Sequence, residues 1–132
     1  MTDLLLDTTF LVDAERAGDN LDDLIADDDD VAVAAITIAE LRVGVELATR
    51  ANRPGREQFV DTVIAAIPVV DYDLNVADVH AKLLAAVRRQ GRPRGAHDLI
   101  IAATARAAGR VVLTADAVAF SDLPDVGVRS HR

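Results

Sequence analysis

The chain contains no cysteine and no tryptophan, and aromatic residues make up only 3% of it. The absence of cysteine excludes disulfides and thiolate metal sites. The three histidines, His80, His97 and His131, lie far apart in the sequence, which weighs against a zinc site dominated by histidine. Hydrophobic residues nevertheless make up 51% of the chain. The core is therefore predicted to consist of Ala, Val, Leu and Ile.

The chain also lacks a long apolar run, and its N-terminus has no basic segment followed by an apolar one. We therefore expect no transmembrane helix and no secretory signal, and a cytoplasmic protein is the default expectation. The length of 132 residues is enough for a substantial core and suits one domain, so residues 1–132 are assigned to a single domain.

Lysine is nearly absent as well. Lys82 is the only one, arginine supplies the remaining positive charge, and the net charge is −8. This balance weighs against a protein that coats nucleic acid with basic side chains. It does not exclude an enzyme that binds phosphate through metal ions, because a cation bound to carboxylates makes the local electrostatic potential positive.

Short apolar runs alternate with helical segments along the chain. Leu4 to Leu6 form a run typical of a central strand that is buried on both faces. Further strands are predicted at residues 31–34, 69–70, 111–113 and 126–129. Helices are predicted to begin at Phe10, Leu21, Thr37, Pro54, Leu74 and His97, the second of them reaching Ile25. This alternation predicts an α/β fold in three layers, with a mainly parallel central sheet flanked by helices.

Four acidic residues are predicted to meet at one edge of this sheet. Asp7 ends the first strand, and Asp116 lies just beyond the strand at residues 111–113. Glu40 and Asp98 are each predicted in the first turn of a helix. Strand C-termini and the N-termini of the helices that follow them share an edge, where ligands of α/β proteins bind. The four side chains can therefore converge from distant parts of the sequence.

Each acid taken alone has a structural explanation. Thr37 and Glu40 match a capping box, Asp98 suits a helix N-terminus, and Asp7 and Asp116 suit N-cap positions. Taken together, carboxylates at one edge repel each other unless protons or cations neutralise them. Oxygen ligands without Cys or His favour Mg²⁺ or Mn²⁺ over zinc. Such a site commonly polarises phosphate and lowers the pKa of a bound water.

The segments around these acids are Asp7-Thr-Thr-Phe-Leu-Val-Asp13, Thr37-Ile-Ala-Glu40, His97-Asp98-Leu-Ile and Leu113-Thr-Ala-Asp116, with Phe120 beyond the last. In this order and spacing they resemble PIN-domain ribonucleases and, more narrowly, the VapC toxins of type II toxin–antitoxin systems. The resemblance spans nearly the whole chain.

The resemblance implies a metal-dependent endoribonuclease that uses a water nucleophile to cleave a phosphodiester in structured RNA. Asp7, Glu40, Asp98 and Asp116 would form the acidic site for Mg²⁺ or Mn²⁺. Thr9 and Thr114 match hydroxyl positions of the family that orient a ligand acid or a water on the metal. Asp116 matches the fourth acidic position, which is the one that the family keeps least strictly as an acid. His97 stands where relatives often carry Asn, and no role is assigned to it.

The resemblance also implies partners. These are a small VapB-like antitoxin whose C-terminal segment covers the active-site groove, a second copy in a homodimer, and a toxin–antitoxin hetero-oligomer. A basic loop carries Arg88, Arg89, Arg92 and Arg94. This loop is either a solvated linker after a helix C-terminus or a rim that contacts RNA or an acidic antitoxin tail.

Other functions fit the sequence less well. The main alternative is a PIN-fold binding or co-repressor module with weak or no nuclease activity. A haloacid-dehalogenase-like phosphatase needs a second Asp where this chain has Thr9, and a receiver domain needs a lysine on a late strand, beyond Lys82. A dinucleotide-binding domain needs a Gly-x-Gly-x-x-Gly loop, which the sequence lacks.

Overall fold

A computed structural model describes residues 2–24 and 27–131 of the chain. Within these residues, strands and helices alternate as the sequence predicts. The elements in chain order are β1 (Asp3–Leu6), α1 (Thr8–Ala17), α2 (Leu21–Leu24), β2 (Asp30–Ala34), α3 (Ala35–Glu46), α4 (Arg53–Ala66), β3 (Val69–Val70), α5 (Leu74–Gln90), α6 (Ala96–Ala107), β4 (Val111–Thr114), a 3₁₀ helix (Ala117–Phe120) and β5 (Val128–Ser130). Ile25, the last residue of the predicted second helix, lies outside the described residues.

The strands form one sheet in the order β3-β2-β1-β4-β5, and every pairing between neighbouring strands is parallel. β1 is central and pairs with β2 on one side and β4 on the other. The predicted α/β fold is therefore confirmed, with a sheet that is wholly parallel in the described residues. The carboxyl ends of β1 and β4 lie side by side, which places the residues after them at one edge.

The core lies on both faces of the sheet. Leu5 packs on one face with side chains of α5 and α6, including Leu83 and Ala102. Leu4 and Leu6 point to the opposite face, where they pack with side chains of α1, α3 and α4. All three leucines of β1 are completely buried. Each such side chain stabilises the fold by about 1.5–3 kcal/mol relative to exposure. The three predicted layers are confirmed.

Three elements begin two residues away from their predicted starts, and the starts of the other described elements agree within one residue. α1 begins at Thr8, two residues early, because the Asp7 carboxylate caps it by accepting the N–H of Phe10. α3 begins at Ala35, directly after β2 and without a connecting loop. β5 covers Val128–Ser130 instead of residues 126–129, since its pairing with β4 starts only at Val128.

In the part of the chain that the structure describes, no helix is both long and apolar enough to cross a membrane.

Candidate active site

Asp7 is a buried carboxylate held by three donors. It sits between β1 and α1 with 1% of its surface exposed. Its Oδ1 accepts hydrogen bonds from the Thr9 hydroxyl at 2.8 Å and the Phe10 N–H at 3.0 Å. Its Oδ2 accepts one from the Thr114 hydroxyl at 2.7 Å. Burial raises the pKa of Asp7, and these donors offset only part of that shift.

Two threonine hydroxyls connect Asp7 to the end of β4. Thr114 is completely buried, and its Oγ1 also accepts the N–H of Asp116 at 2.9 Å. The hydroxyls of Thr9 and Thr114 lie 3.1 Å apart. The network therefore fixes both the first acid and the backbone of the fourth. The predicted supporting position of Thr9 and Thr114 agrees with this geometry, and their effect on catalysis stays a prediction.

Replacement of Thr114 by Val should destabilise the fold, because it leaves Asp7 Oδ2 buried without this donor. We expect the free energy of unfolding in urea to fall by about 1–3 kcal/mol. Thr104→Val is a matched control, since Thr104 is also buried but donates to the Ile100 carbonyl within α6. That carbonyl keeps its helical N–H donor, so the free energy of unfolding should fall less in Thr104→Val than in Thr114→Val. Equal losses in the two variants would contradict a special role for Thr114.

Glu40 lies in the second turn of α3, because that helix starts at Ala35. The prediction of a first-turn position was therefore wrong, and so was the capping-box interpretation: Thr37 lies inside the helix, where it is buried. Glu40 Oε1 instead accepts a hydrogen bond from the Thr8 hydroxyl at 2.7 Å. The Nδ1 of His97 lies 3.3 Å from Oε2. Both carboxylate oxygens thus face groups from other elements.

Asp98 lies in the first turn of α6, as predicted. Burial raises its pKa most, and the charges of Asp7, Glu40 and Asp116 raise it further, while His97 opposes the shift. Gly95 makes room for this carboxylate, since a Cβ at that position would stand 2.8 Å from Asp98 Oδ2. Asp98 is therefore the acid whose ionisation responds to the other three.

The four acids converge as predicted. Asp7, Glu40, Asp98 and Asp116 line one cavity of about 380 Å³ at the carboxyl edge of the sheet. Thr8, Thr9, Val12, Asp13, Arg16 and Ala115 complete its lining. Sequence reasoning missed Thr8, Asp13 and Arg16. Arg16 had a detectable signal, because Thr9, Asp13 and Arg16 recur at the spacing of one helical face.

The donor chemistry of this cavity suits a hard divalent cation. Its acidic and hydroxyl groups offer oxygen, the ligand type that Mg²⁺ and Mn²⁺ prefer. As they stand, no three acidic or histidine side chains among the described residues are arranged to hold one ion. Mg²⁺ usually keeps several waters and needs only one or two protein carboxylates. The spacing of the acidic side chains in this cavity is therefore compatible with Mg²⁺.

The basic loop is divided between two environments. Arg92 and Arg94 line a neighbouring cavity of about 430 Å³ that also includes Asp98. Arg94 donates to the carbonyls of Val118 and Ala119 at 3.1 and 3.4 Å, which anchors the loop to the 3₁₀ helix. Arg88 and Arg89 are exposed in the last turn of α5. Two of the four predicted contact arginines therefore reach the neighbourhood of the acids.

Comparison with known proteins adds a family match. A family model described as the PIN domain matches residues 4–126. The chain is 31% identical over 127 residues to Toxin FitB of Neisseria gonorrhoeae, covering 89% of this chain and 90% of that protein. It is 32% identical over 85 residues to a tRNA(fMet)-specific endonuclease VapC of Shigella flexneri. That match covers 64% of this chain, and it spans less than two thirds (62%) of the relative.

A solved structure shows the same fold at full length. It is a member of the VapBC family of toxin–antitoxin systems from Mycobacterium tuberculosis, 28% identical in sequence, with a TM-score of 0.80. The match covers 98% of this chain and 99% of the other.

Proposed function

Because the chain belongs to the PIN-domain family, we propose that it is a metal-dependent endoribonuclease toxin that is neutralised by an antitoxin. One observation carries this proposal: the four predicted carboxylates line a single cavity together with Asp13, and Asp7, Glu40 and Asp116 raise the pKa of Asp98. A fold gains no stability from gathering like charges in this way. A divalent cation would neutralise this repulsion, which supports a metal site in the cavity.

One or two of Asp7, Glu40, Asp98 and Asp116 would hold that cation directly and the others through its waters, and we take it to be Mg²⁺ with Mn²⁺ as a substitute. When bound, such an ion supplies Lewis acidity toward phosphate oxygen and makes water a stronger nucleophile near neutral pH. The chain contributes the positions of the acids. Three donors fix Asp7, and Thr8 fixes one oxygen of Glu40.

Arg16 is the only basic side chain among the described residues that line the acidic cavity. It lies in the last turn of α1 and is exposed to solvent. A guanidinium at this position can contact a backbone phosphate next to the bond that is cleaved. We assign it to substrate binding.

RNA is the substrate class that we propose, and the name of one similar protein supports it, since the relative from Shigella flexneri is a tRNA(fMet)-specific endonuclease. A structured RNA that presents an unpaired segment would fit an open cavity of this size, because unstacked nucleotides are what proteins read in RNA. The test is incubation of the purified, antitoxin-free chain with total cellular RNA and Mg²⁺, followed by mapping of the new ends. Discrete cuts support the proposal, and intact RNA in every fraction would contradict it.

The basic loop should contribute phosphate contacts. A triple variant with Arg88, Arg89 and Arg92 changed to Gln keeps Arg94, whose bonds to the 3₁₀ helix are structural. We expect weaker cleavage at low RNA concentration. We also expect log(kcat/KM) to depend less steeply on log salt concentration, with a slope shallower by about 0.7 for each phosphate that the variant no longer binds. The measurement is a salt titration of the initial cleavage rate.

Arg50→Gln is the control for this series, since Arg50 is an exposed residue in the turn after α3. It should leave the salt slope unchanged. A triple variant with the wild-type slope would remove the loop from the RNA-binding surface.

An antitoxin is the partner that we propose, as in the similar VapBC structure. A groove of about 790 Å³ between α1, α2 and α4 adjoins the acidic cavity, and Arg16 lines both. Its lining includes Leu21 and Phe59, which can receive apolar side chains of a docked segment. We further expect a homodimer of the chain and a hetero-oligomer with the antitoxin. Size-exclusion chromatography with light scattering tests both expectations.

A further inference from the structure

The carboxylate of Glu40 is contacted on both oxygens by different helices. The hydroxyl of Thr8, at the start of α1, donates to Oε1 at 2.7 Å. The Nδ1 of His97, at the start of α6, lies 3.3 Å from Oε2. The terminal torsion of a glutamate is broad, so a carboxylate that is held by one oxygen still rotates. The contact from His97 is therefore the second restraint on the orientation of the carboxylate.

The exposure of His97 excludes packing as the reason for this contact. The side chain is 57% exposed, whereas that of Glu40 is only 27% exposed. An exposed pair of this kind contributes little to folding stability. The imidazole is thus mostly exposed to solvent and contacts the acidic site through Glu40.

The other two histidines have different surroundings. His80 faces Tyr72, whose hydroxyl lies 2.8 Å from its Nδ1. The ring of His131 packs edge-on against Phe10, with ring centroids 4.9 Å apart. In the described residues, His97 is therefore the imidazole that contacts one of the four acids.

We propose that His97 is a positioning residue for the metal site. Its Nδ1 edge holds the Glu40 carboxylate in the plane from which it can ligate a divalent cation. This inference rests on the proposed function and adds a residue to it. His97 itself does not bind the ion. It should act on metal affinity in the way that groups outside the ligand set, in contact with a metal ligand, generally do.

The two ring nitrogens of His97 give a sharp choice of variants. The amide nitrogen of Asn stands close to the place of Nδ1, whereas the longer side chain of Gln carries its amide nitrogen toward the place of Nε2. His97→Asn should therefore preserve the contact with Glu40. His97→Gln and His97→Ala should abolish it. A residue that acts through bulk or solubility would show no such order.

The experiment measures Mn²⁺ binding to the free chain by isothermal titration calorimetry. We expect His97→Ala and His97→Gln to raise the Kd by about tenfold, a typical effect of removing a group that orients a metal ligand. His97→Asn should stay within about twofold of the wild type, and all variants should keep the wild-type Tm. His80→Ala is the matched control and should bind Mn²⁺ as the wild type does. Saturating Mn²⁺ should restore RNA cleavage to His97→Ala.

The outcomes separate the inference from the function on which it rests. If the wild type binds Mn²⁺ and His97→Ala binds it equally well, the positioning role is overturned and the metal site stands. The same holds if His97→Asn is as weak as His97→Ala. A wild-type chain that binds no Mn²⁺ overturns the metal site itself, and the inference falls with it.

Discussion

Replacement of Asp98 by Asn should lower the kcat of RNA cleavage by about 10²–10³-fold, equivalent to about 2.7–4 kcal/mol of transition-state stabilisation. Asn keeps the size of the side chain but removes the charge that a divalent cation needs. Asp98 is the informative choice among the four acids, because Asp7, Glu40 and Asp116 all raise its pKa.

The same variant should make the metal-free chain more stable. A raised pKa means that the folded state holds its proton more tightly than the unfolded chain does, so ionised Asp98 destabilises the fold near neutral pH. The stability of the wild type should therefore increase as the pH falls through the raised pKa, and Asp98→Asn should remove that part of the increase. We expect a higher Tm for Asp98→Asn than for the wild type at pH 7.

Asp78→Asn is the matched control, because Asp78 is an exposed residue of α5. It should change neither cleavage nor Tm. An Asp98→Asn variant that loses activity and stability together would indicate a damaged fold instead of a missing metal ligand.

Addition of Mn²⁺ or Mg²⁺ should stabilise the wild-type chain strongly. An ion that binds only the folded state contributes about 2.7 kcal/mol at a concentration 100 times its Kd. In a domain of this length that corresponds to a rise of roughly 10 °C in Tm. The cause is that a bound ion stabilises the ionised carboxylates of Asp7 and Asp98, which burial and neighbouring charges otherwise disfavour. Differential scanning fluorimetry with and without EDTA measures it.

Variants distinguish this site from weak binding elsewhere on an acidic chain. Asp7→Asn and Asp98→Asn should each lose most of the rise in Tm, whereas Asp78→Asn should retain it. The acidic run at residues 27–30 is the obvious competing site. An equal rise in all variants would assign the ion to that run or to another part of the surface.

Much of the fold was predictable from local patterns in the sequence. Three leucines in succession predicted a strand buried on both faces, and β1 is such a strand. The convergence of Asp7 and Asp116 followed from topology alone, since β1 and β4 are parallel neighbours with their carboxyl ends together. The rule that the carboxyl ends of parallel strands share one edge was enough to predict this convergence, because it depends on the order of the elements and not on side-chain contacts.

The local hydrogen bonding of the site could not be predicted from the sequence. The motif from Thr37 to Glu40 fits a capping box, but β2 runs into α3 without a loop and so moves Glu40 into the second turn. Its partners are Thr8 and His97, residues that are distant in sequence. Contacts of this kind depend on how the helices pack, and no periodicity in the chain indicates them.

Whether the acidic cavity cleaves RNA with the help of a divalent cation can be measured directly. The purified chain, free of any antitoxin, is incubated with a 5′-labelled RNA pool, in EDTA and then with Mg²⁺ or Mn²⁺ added in excess. We expect intact RNA in EDTA, discrete cleavage after addition of the metal, and cleavage by Asp98→Asn with the metal that is slower by about 10²–10³-fold than that of the wild type. Discrete cleavage that persists in EDTA, with Asp98→Asn as active as the wild type, would contradict a metal-dependent site at these acids.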